Sequence, residues 1–225
     1  MHVVTVNTKG GCGKTLLATQ LACYYASSGK SVAIFDHDSQ QSSKDWVKAR
    51  PKRCAPISAV AAYAGEMHNA NADIVIHDMP AGYDVRDLQK DVPDVKKILI
   101  PIMPSPTDMR VVWRFCMMLS YTGLLESDIE IGFVVNRFRA NASFNDVLMK
   151  FLNRLDVPVV GYIRDTQNYI HANNRGLGIF DLPRARTAVD RKSWEPVIEW
   201  LQDIDDETFA QELMVDIVQK QLALV

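Results

Sequence analysis

Apolar and polar positions along this 225-residue chain fall into two kinds of block. The first kind is a short, nearly continuous apolar run: Val3–Val6, Ser31–Asp36, Asp73–Asp78, Lys97–Ile102, Ile129–Asn136 and Val157–Val160. A strand covered on both faces gives an unbroken apolar run, whereas a half-exposed one alternates, so these runs predict buried parallel strands. The second kind repeats apolar residues at helical spacing, over 14–28, 39–49, 107–125 and 143–155. Strand and helix blocks taking turns predict an α/β fold: a doubly wound, mostly parallel sheet with helices on both faces. No repeat or low-complexity linker divides the chain, so one domain is expected over 1–225, with C-terminal helices at about 186–224 packing on it. Ligands of such sheets bind beyond the carboxyl ends of the strands, where Gly10, Asp36 and Asp78 fall.

Composition narrows the class. With 48% hydrophobic residues the chain can bury a substantial core. The net charge of −2 excludes a globally basic nucleic-acid coat protein while leaving room for a local basic face. Cys12, Cys23, Cys54 and Cys116 show neither CxxC pairing nor metal-ligand spacing and read as reduced thiols. The first strand starts almost at Met1 and no apolar run approaches the ~20 residues of a membrane span, so a soluble cytoplasmic protein is expected. Charge is unevenly spread. Residues 194–225 carry eight acidic side chains against Lys220, whereas 161–192 carry six basic ones against three aspartates. A second basic cluster, Lys44, Lys48, Arg50, Lys52 and Arg53, follows the second strand.

Chemistry concentrates at Lys9-Gly-Gly-Cys-Gly-Lys-Thr15, between the first strand and the first helix. That context defines a phosphate-binding loop. The glycines let backbone N–H groups turn inward around phosphates, and the helix N-terminus adds partial positive charge. Nucleotide contacts are expected from Gly10, Gly11, Cys12, Gly13, Lys14, Thr15 and the backbone of Leu16. Lys14 would reach the β/γ-phosphates and the Thr15 hydroxyl would ligate Mg²⁺. Lys9 is a second lysine that such a loop does not require. Asp36 and Asp78 each end a strand, where a carboxylate can hold the metal or its waters. Asp38 can orient the water that attacks the γ-phosphate. The plain alternative makes these aspartates turn formers or helix caps. His37, His68, His77 and His171 lack metal-ligand spacing.

Together these motifs resemble the ParA/MinD family of ATPases. Lys9–Thr15 is similar to the family's deviant Walker A motif, Asp36-His-Asp-Ser-Gln40 to switch I, and Ile76-His-Asp-Met-Pro-Ala-Gly82 to switch II. Ile100–Asp108, Val134–Arg137 and Gly176–Phe180 also match, in the family's order. The resemblance implies ATP and Mg²⁺ as cofactors and an ATP-bound homodimer, in which the signature lysine, here Lys9, reaches the partner subunit's phosphates. It makes Lys9, Lys14 and Asp38 the catalytic residues and Thr15, Asp36 and Asp78 the metal group. It places Asn136 at the adenine edge. Leu16 departs from the family's second threonine and Ser39 from its switch I proline.

Short length resembles the small ParA type. Such members bind DNA nonspecifically, which needs Lys or Arg near phosphates and no base reader. Arg164, Arg184, Arg186, Arg191 and Lys192 lie where the family places such residues. The helix expected over 206–224 has an acidic polar face that anionic lipid would repel, so no membrane partner is expected. The implied function is partner-stimulated ATP hydrolysis that positions a cargo along the nucleoid, with a ParB-like or cargo-adaptor protein as the stimulating partner. The cargo is a plasmid, a chromosome or a protein body; some details resemble the carboxysome-positioning members. Two alternatives remain: a P-loop enzyme acting with ATP on a small molecule, and a MinD-like nucleotide-gated protein-binding switch.

Overall fold

A computed structural model of the chain describes residues 1–66 and 71–202. Seven strands form one sheet: β1 (His2–Thr5), β2 (Val32–Asp36), β3 (Ser58–Val60), β4 (Ile74–Asp78), β5 (Val95–Ile102), β6 (Glu130–Phe138) and β7 (Val159–Arg164). Their order is β3-β2-β4-β1-β5-β6-β7, and every pairing is parallel. The expected doubly wound sheet therefore forms. β1 lies between β4 and β5, at the point where the winding reverses direction, and the loop after it opens into that crevice.

The central strands read as continuous apolar runs because both of their faces are covered. Val3 joins the cluster on one face, with Leu17 and Leu21 of α1 (Lys14–Ser27), Trp46 of α2 (Ser42–Ala49) and Tyr169 of α6 (Gln167–Asn173). Val4 and Val6 join the other. There they meet Leu88 of α3 (Leu88–Asp91), Val112, Phe115 and Leu119 of α4 (Pro106–Thr122), and Leu148 and Leu152 of α5 (Asn145–Leu152). α7 (Arg184–Lys192) leads into helical residues 195–202, whose Val197, Ile198 and Leu201 are buried with Trp194 in the first cluster.

Several boundaries differ from the expectation. β3 has only three residues, of which only Val60 is buried, so it offers no periodicity. α2 begins at Ser42 because Gln41 takes a left-handed conformation, φ 59°, which turns the preceding residues out of the helix. β7 continues past Gly161 to Arg164, four residues beyond the expected end at Val160. Gly161 is needed inside it, since a Cβ there would come within 2.3 Å of Val197. Lys97 is fully buried in β5: its Nζ donates to Glu130 Oε2 at 2.8 Å and to the Trp200 carbonyl at 2.7 Å, and lies over the Trp200 ring. The helix expected over 206–224, and His68, lie outside the described residues.

Candidate functional site

The loop between β1 and α1 takes its shape from two left-handed glycines, Gly11 at φ 72° and Gly13 at φ 111°. Gly13 immediately precedes α1, so the first N–H groups of the helix face the crevice. A side chain is excluded at Gly13, where a Cβ would lie 2.1 Å from Asn136 Nδ2. That amide donates to the Cys12 carbonyl at 2.9 Å, and its oxygen accepts from Arg137 N. Asn136 thus fastens the loop to the end of β6.

The two lysines of the loop have different partners. Lys14 is nearly buried, and its ammonium donates to the Lys9 carbonyl at 3.1 Å, which also accepts from Cys12 Sγ. Lys9 turns the other way and its Nζ pairs with Asp108 Oδ2. Asp108 is fully buried in the first turn of α4, where Ser105 caps the helix by accepting from Asp108 N at 3.1 Å and donates to the same carboxylate oxygen. The pairing of Lys9 with Asp108 is not apparent from the sequence, which shows only that Asp108 ends a matching motif. The cap itself is legible as Ser-Pro-Thr-Asp, a capping-box spacing.

Asp36 and Asp78 are the last residues of β2 and β4, and Asp38 follows two residues beyond β2. Asp36 accepts from Asp38 N at 3.0 Å and Lys44 N at 2.9 Å, ordering the turn into α2. Asp38 is half-buried and accepts from Gln40 N at 2.9 Å. Asp78 is almost wholly buried, and its pKa is pushed up to about 7, first by burial and then by the charge of Asp36. The Thr15 hydroxyl and the Lys14 ammonium oppose that rise. Among the described residues its Oδ2 has no hydrogen-bond partner, and neither has the buried Ser43 Oγ. A buried, unpartnered oxygen beside the Thr15 hydroxyl is what a hydrated hard cation needs. The residues therefore fit Mg²⁺ brought in with phosphates. Without phosphate oxygens the set is too small, since among the described residues no group of three or more His, Cys, Asp or Glu could hold a metal.

Three imidazoles form a row beside Asp36 and Asp38, His77 stacked on His2 and tilted against His37. His2 Nδ1 is 3.1 Å from His77 Nε2, and His77 Nδ1 is 3.0 Å from His37 Nε2. Burial lowers the pKa of all three, that of His77 the furthest.

A cleft of about 480 Å³ opens from Gly11, Gly13, Thr15 and Leu16 toward Asn136, Arg164, Tyr169 and Asn173. Arg164 is therefore in the cleft rim. Its Nη1 pairs with Asp190 Oδ1 at 2.6 Å, which ties this exposed side chain to α7. Arg191 is committed to the fold as well: it donates to Thr187 Oγ1 and to the Phe180 and Leu182 carbonyls, over the Phe180 ring. Arg50 of the second basic cluster is buried in a two-bond pair with Asp181. Arg184, Arg186 and Lys192 are exposed on α7.

The model of the CobQ/CobB/MinD/ParA nucleotide-binding domain matches residues 3–179. "Maintenance of carboxysome distribution protein A" of Halothiobacillus neapolitanus is 26% identical over 198 residues, 84% of this chain and 91% of that protein. Among solved structures, apo McdA of Cyanothece superposes with a TM-score of 0.70 at 15% identity, over 89% of this chain and 98% of the other. A putative plasmid partition protein of Borrelia burgdorferi bound to AMPPNP gives 0.67 at 14% identity, over 90% and 98%. Other neighbours of this fold are solved with ATP, or with ADP and magnesium.

Proposed function

The chain belongs to the CobQ/CobB/MinD/ParA nucleotide-binding family, and on that premise we propose that it is a ParA-type, Mg²⁺-dependent ATPase. In this reading it dimerises on ATP, binds DNA nonspecifically and positions an intracellular cargo, with hydrolysis stimulated by a cargo-borne partner protein. The likeness in sequence to a carboxysome distribution protein and in fold to a plasmid partition protein supports cargo positioning. The observation that carries the proposal is the division of labour between the two lysines. Lys14 lies within the loop, while Lys9 leaves it and is held at its mouth by a carboxylate.

Each group has a task in this scheme. The loop N–H groups and Lys14 bind the phosphates, Lys14 exchanging the Lys9 carbonyl for a phosphate oxygen. Asn136 keeps the loop in its binding shape and lines the cleft beside it. Mg²⁺, when bound, neutralises charge on the phosphates; Thr15 and Asp78 would hold it, with Asp36 as a neighbouring acceptor. Asp38 would orient the attacking water. Lys9, released from Asp108, would stabilise charge on the partner's transferred phosphoryl group in the manner of an arginine finger. Arg184, Arg186 and Lys192, doubled by dimerisation, would contact DNA phosphates.

Gel shifts on nonspecific duplex DNA with ATP, ADP and no nucleotide test the scheme. ATP-dependent retardation is expected, and replacing Arg184 and Arg186 together by Glu should remove it with ATPase activity kept. Equal or absent binding in all three conditions would overturn the DNA step.

A further inference from the structure

The rim of the cleft and the exposed face of α7 share a buried carboxylate. Asp190 is 1% exposed and points inward from α7. Its Oδ1 accepts from Arg164 Nη1 at 2.6 Å, and Arg164 lines the cleft. Its Oδ2 accepts from Asn168 Nδ2, also at 2.6 Å. Asn168 in turn faces Arg186: its Oδ1 accepts from Arg186 Nε at 2.9 Å, and its Nδ2 approaches the Arg186 carbonyl at 3.4 Å. One continuous polar chain, Arg164–Asp190–Asn168–Arg186, therefore runs from the nucleotide cleft to a proposed DNA contact.

The chain has a reason to exist in two arrangements. Arg164, with 46% of its side chain exposed, can choose between Asp190 and an anionic ligand in the cleft. Asp190 has no such freedom, because it is buried and a buried carboxylate stripped of its cation is costly. When a nucleotide draws the guanidinium away, Asp190 must recover hydrogen bonds from Asn168 or move with α7. Either response repositions Arg186. We infer that α7 senses occupancy of the nucleotide cleft through Arg164 and Asp190, with Asn168 as the positioning residue that passes the change to Arg186. Its consequence for DNA rests on the proposed function above; the coupling itself does not.

Asn168 is the residue to test, because it is half-buried and does not line the cleft. Two readouts apply to wild type and Asn168→Ala: hydrogen exchange of the α7 amides with and without a nonhydrolysable ATP analogue, and the ratio of DNA affinities in ATP and ADP. Nucleotide affinity, measured alongside, sets the analogue concentration that saturates each protein. In wild type the analogue should alter α7 exchange, and the affinity ratio should fall in the usual range of linked sites, about 5- to 150-fold. In Asn168→Ala the exchange response should vanish and the ratio should fall toward one. Asn168→Asp, which keeps the acceptor for Arg186 but cannot donate to Asp190, should behave as Asn168→Ala does. An α7 that ignores nucleotide in wild type, or answers it equally in both variants, overturns the inference. Absence of any wild-type DNA shift overturns the DNA step alone, and the exchange arm then decides the coupling.

Discussion

Lys9 cannot serve a partner subunit while it stays on Asp108, so weakening that pair should ease ATP-dependent dimerisation. Asp108→Asn is the cleanest perturbation, since it keeps the shape of a fully buried side chain and removes its charge. Hydrogen bonds to charged groups are worth about 1.5–3 kcal/mol net. The Lys9 side chain is 24% exposed, and solvent screening lowers that figure to about 1 kcal/mol per subunit. A symmetric dimer would release two such pairs, so the gain is about 2 kcal/mol, or about 30-fold in the dimer constant. Sedimentation velocity over a concentration series with a nonhydrolysable ATP analogue would measure it, with Lys9→Ala as the control that has no lysine to release. An Asp108→Asn dimer that is no tighter than wild type would refute the idea that this pair restrains Lys9. A dimer weakened to the level of Lys9→Ala would instead show that Asp108 positions the lysine for its partner.

Three other outcomes are expected. Gly13→Ala should abolish nucleotide binding in a fluorescent-analogue titration, because the loop must give up φ 111° or expel Asn136. Asp78 has an unfolded pKa of 3.8 and a folded value of about 7, so the folded protein holds the proton more tightly. That contribution is full below the unfolded pKa and is lost as pH rises through the folded one. Nucleotide-free wild type should therefore lose melting temperature between pH 4 and 7 relative to Asp78→Asn, and parallel curves would contradict the assignment. Lys97→Ala removes the cation from the Trp200 ring and carbonyl and should cost about 2 kcal/mol in urea unfolding, while Lys97→Met, which keeps the stem, should cost less. A loss under about 0.5 kcal/mol, the level of a surface change, would mean these contacts do not anchor 195–202 to β5.

The sheet was legible where local pattern and tertiary role coincide. β2 and β4 are apolar runs ending in Asp because both faces are covered while the carboxyl end opens into the crevice, so a single short window carries both facts. The cleft-rim position of Arg164 was not legible, for the opposite reason. Gly161 and Tyr162 interrupt the apolar run of β7, so the pattern stops short of Arg164 and gives no sign that this residue lines the cleft. Arg191 and Arg50 could not be separated from solvated arginines, because their partners are backbone carbonyls or an aspartate far along the chain. The sequence pattern carries no physical cause for Gly176 and Gly178. The structure supplies one for Gly178, which lies against Cys23 and Gln20 of α1, where a Cβ would meet Cys23 atoms at 2.6 Å.

The row of imidazoles beside Asp36 and Asp38 has a consequence for what His37 offers its surroundings. Each of the two nitrogen–nitrogen contacts holds one hydrogen, and a neutral ring carries one. If His77 is protonated on Nδ1, it donates to His37 Nε2 and accepts from His2 Nδ1, so all three rings are Nδ1–H tautomers. If it is protonated on Nε2, all three are Nε2–H. The rings cannot choose separately. In the first state the free Nδ1 of His37 is a donor and in the second an acceptor, so the polarity of that ring, one residue from Asp36 and from Asp38, is decided jointly with His2 at the opposite end of the row.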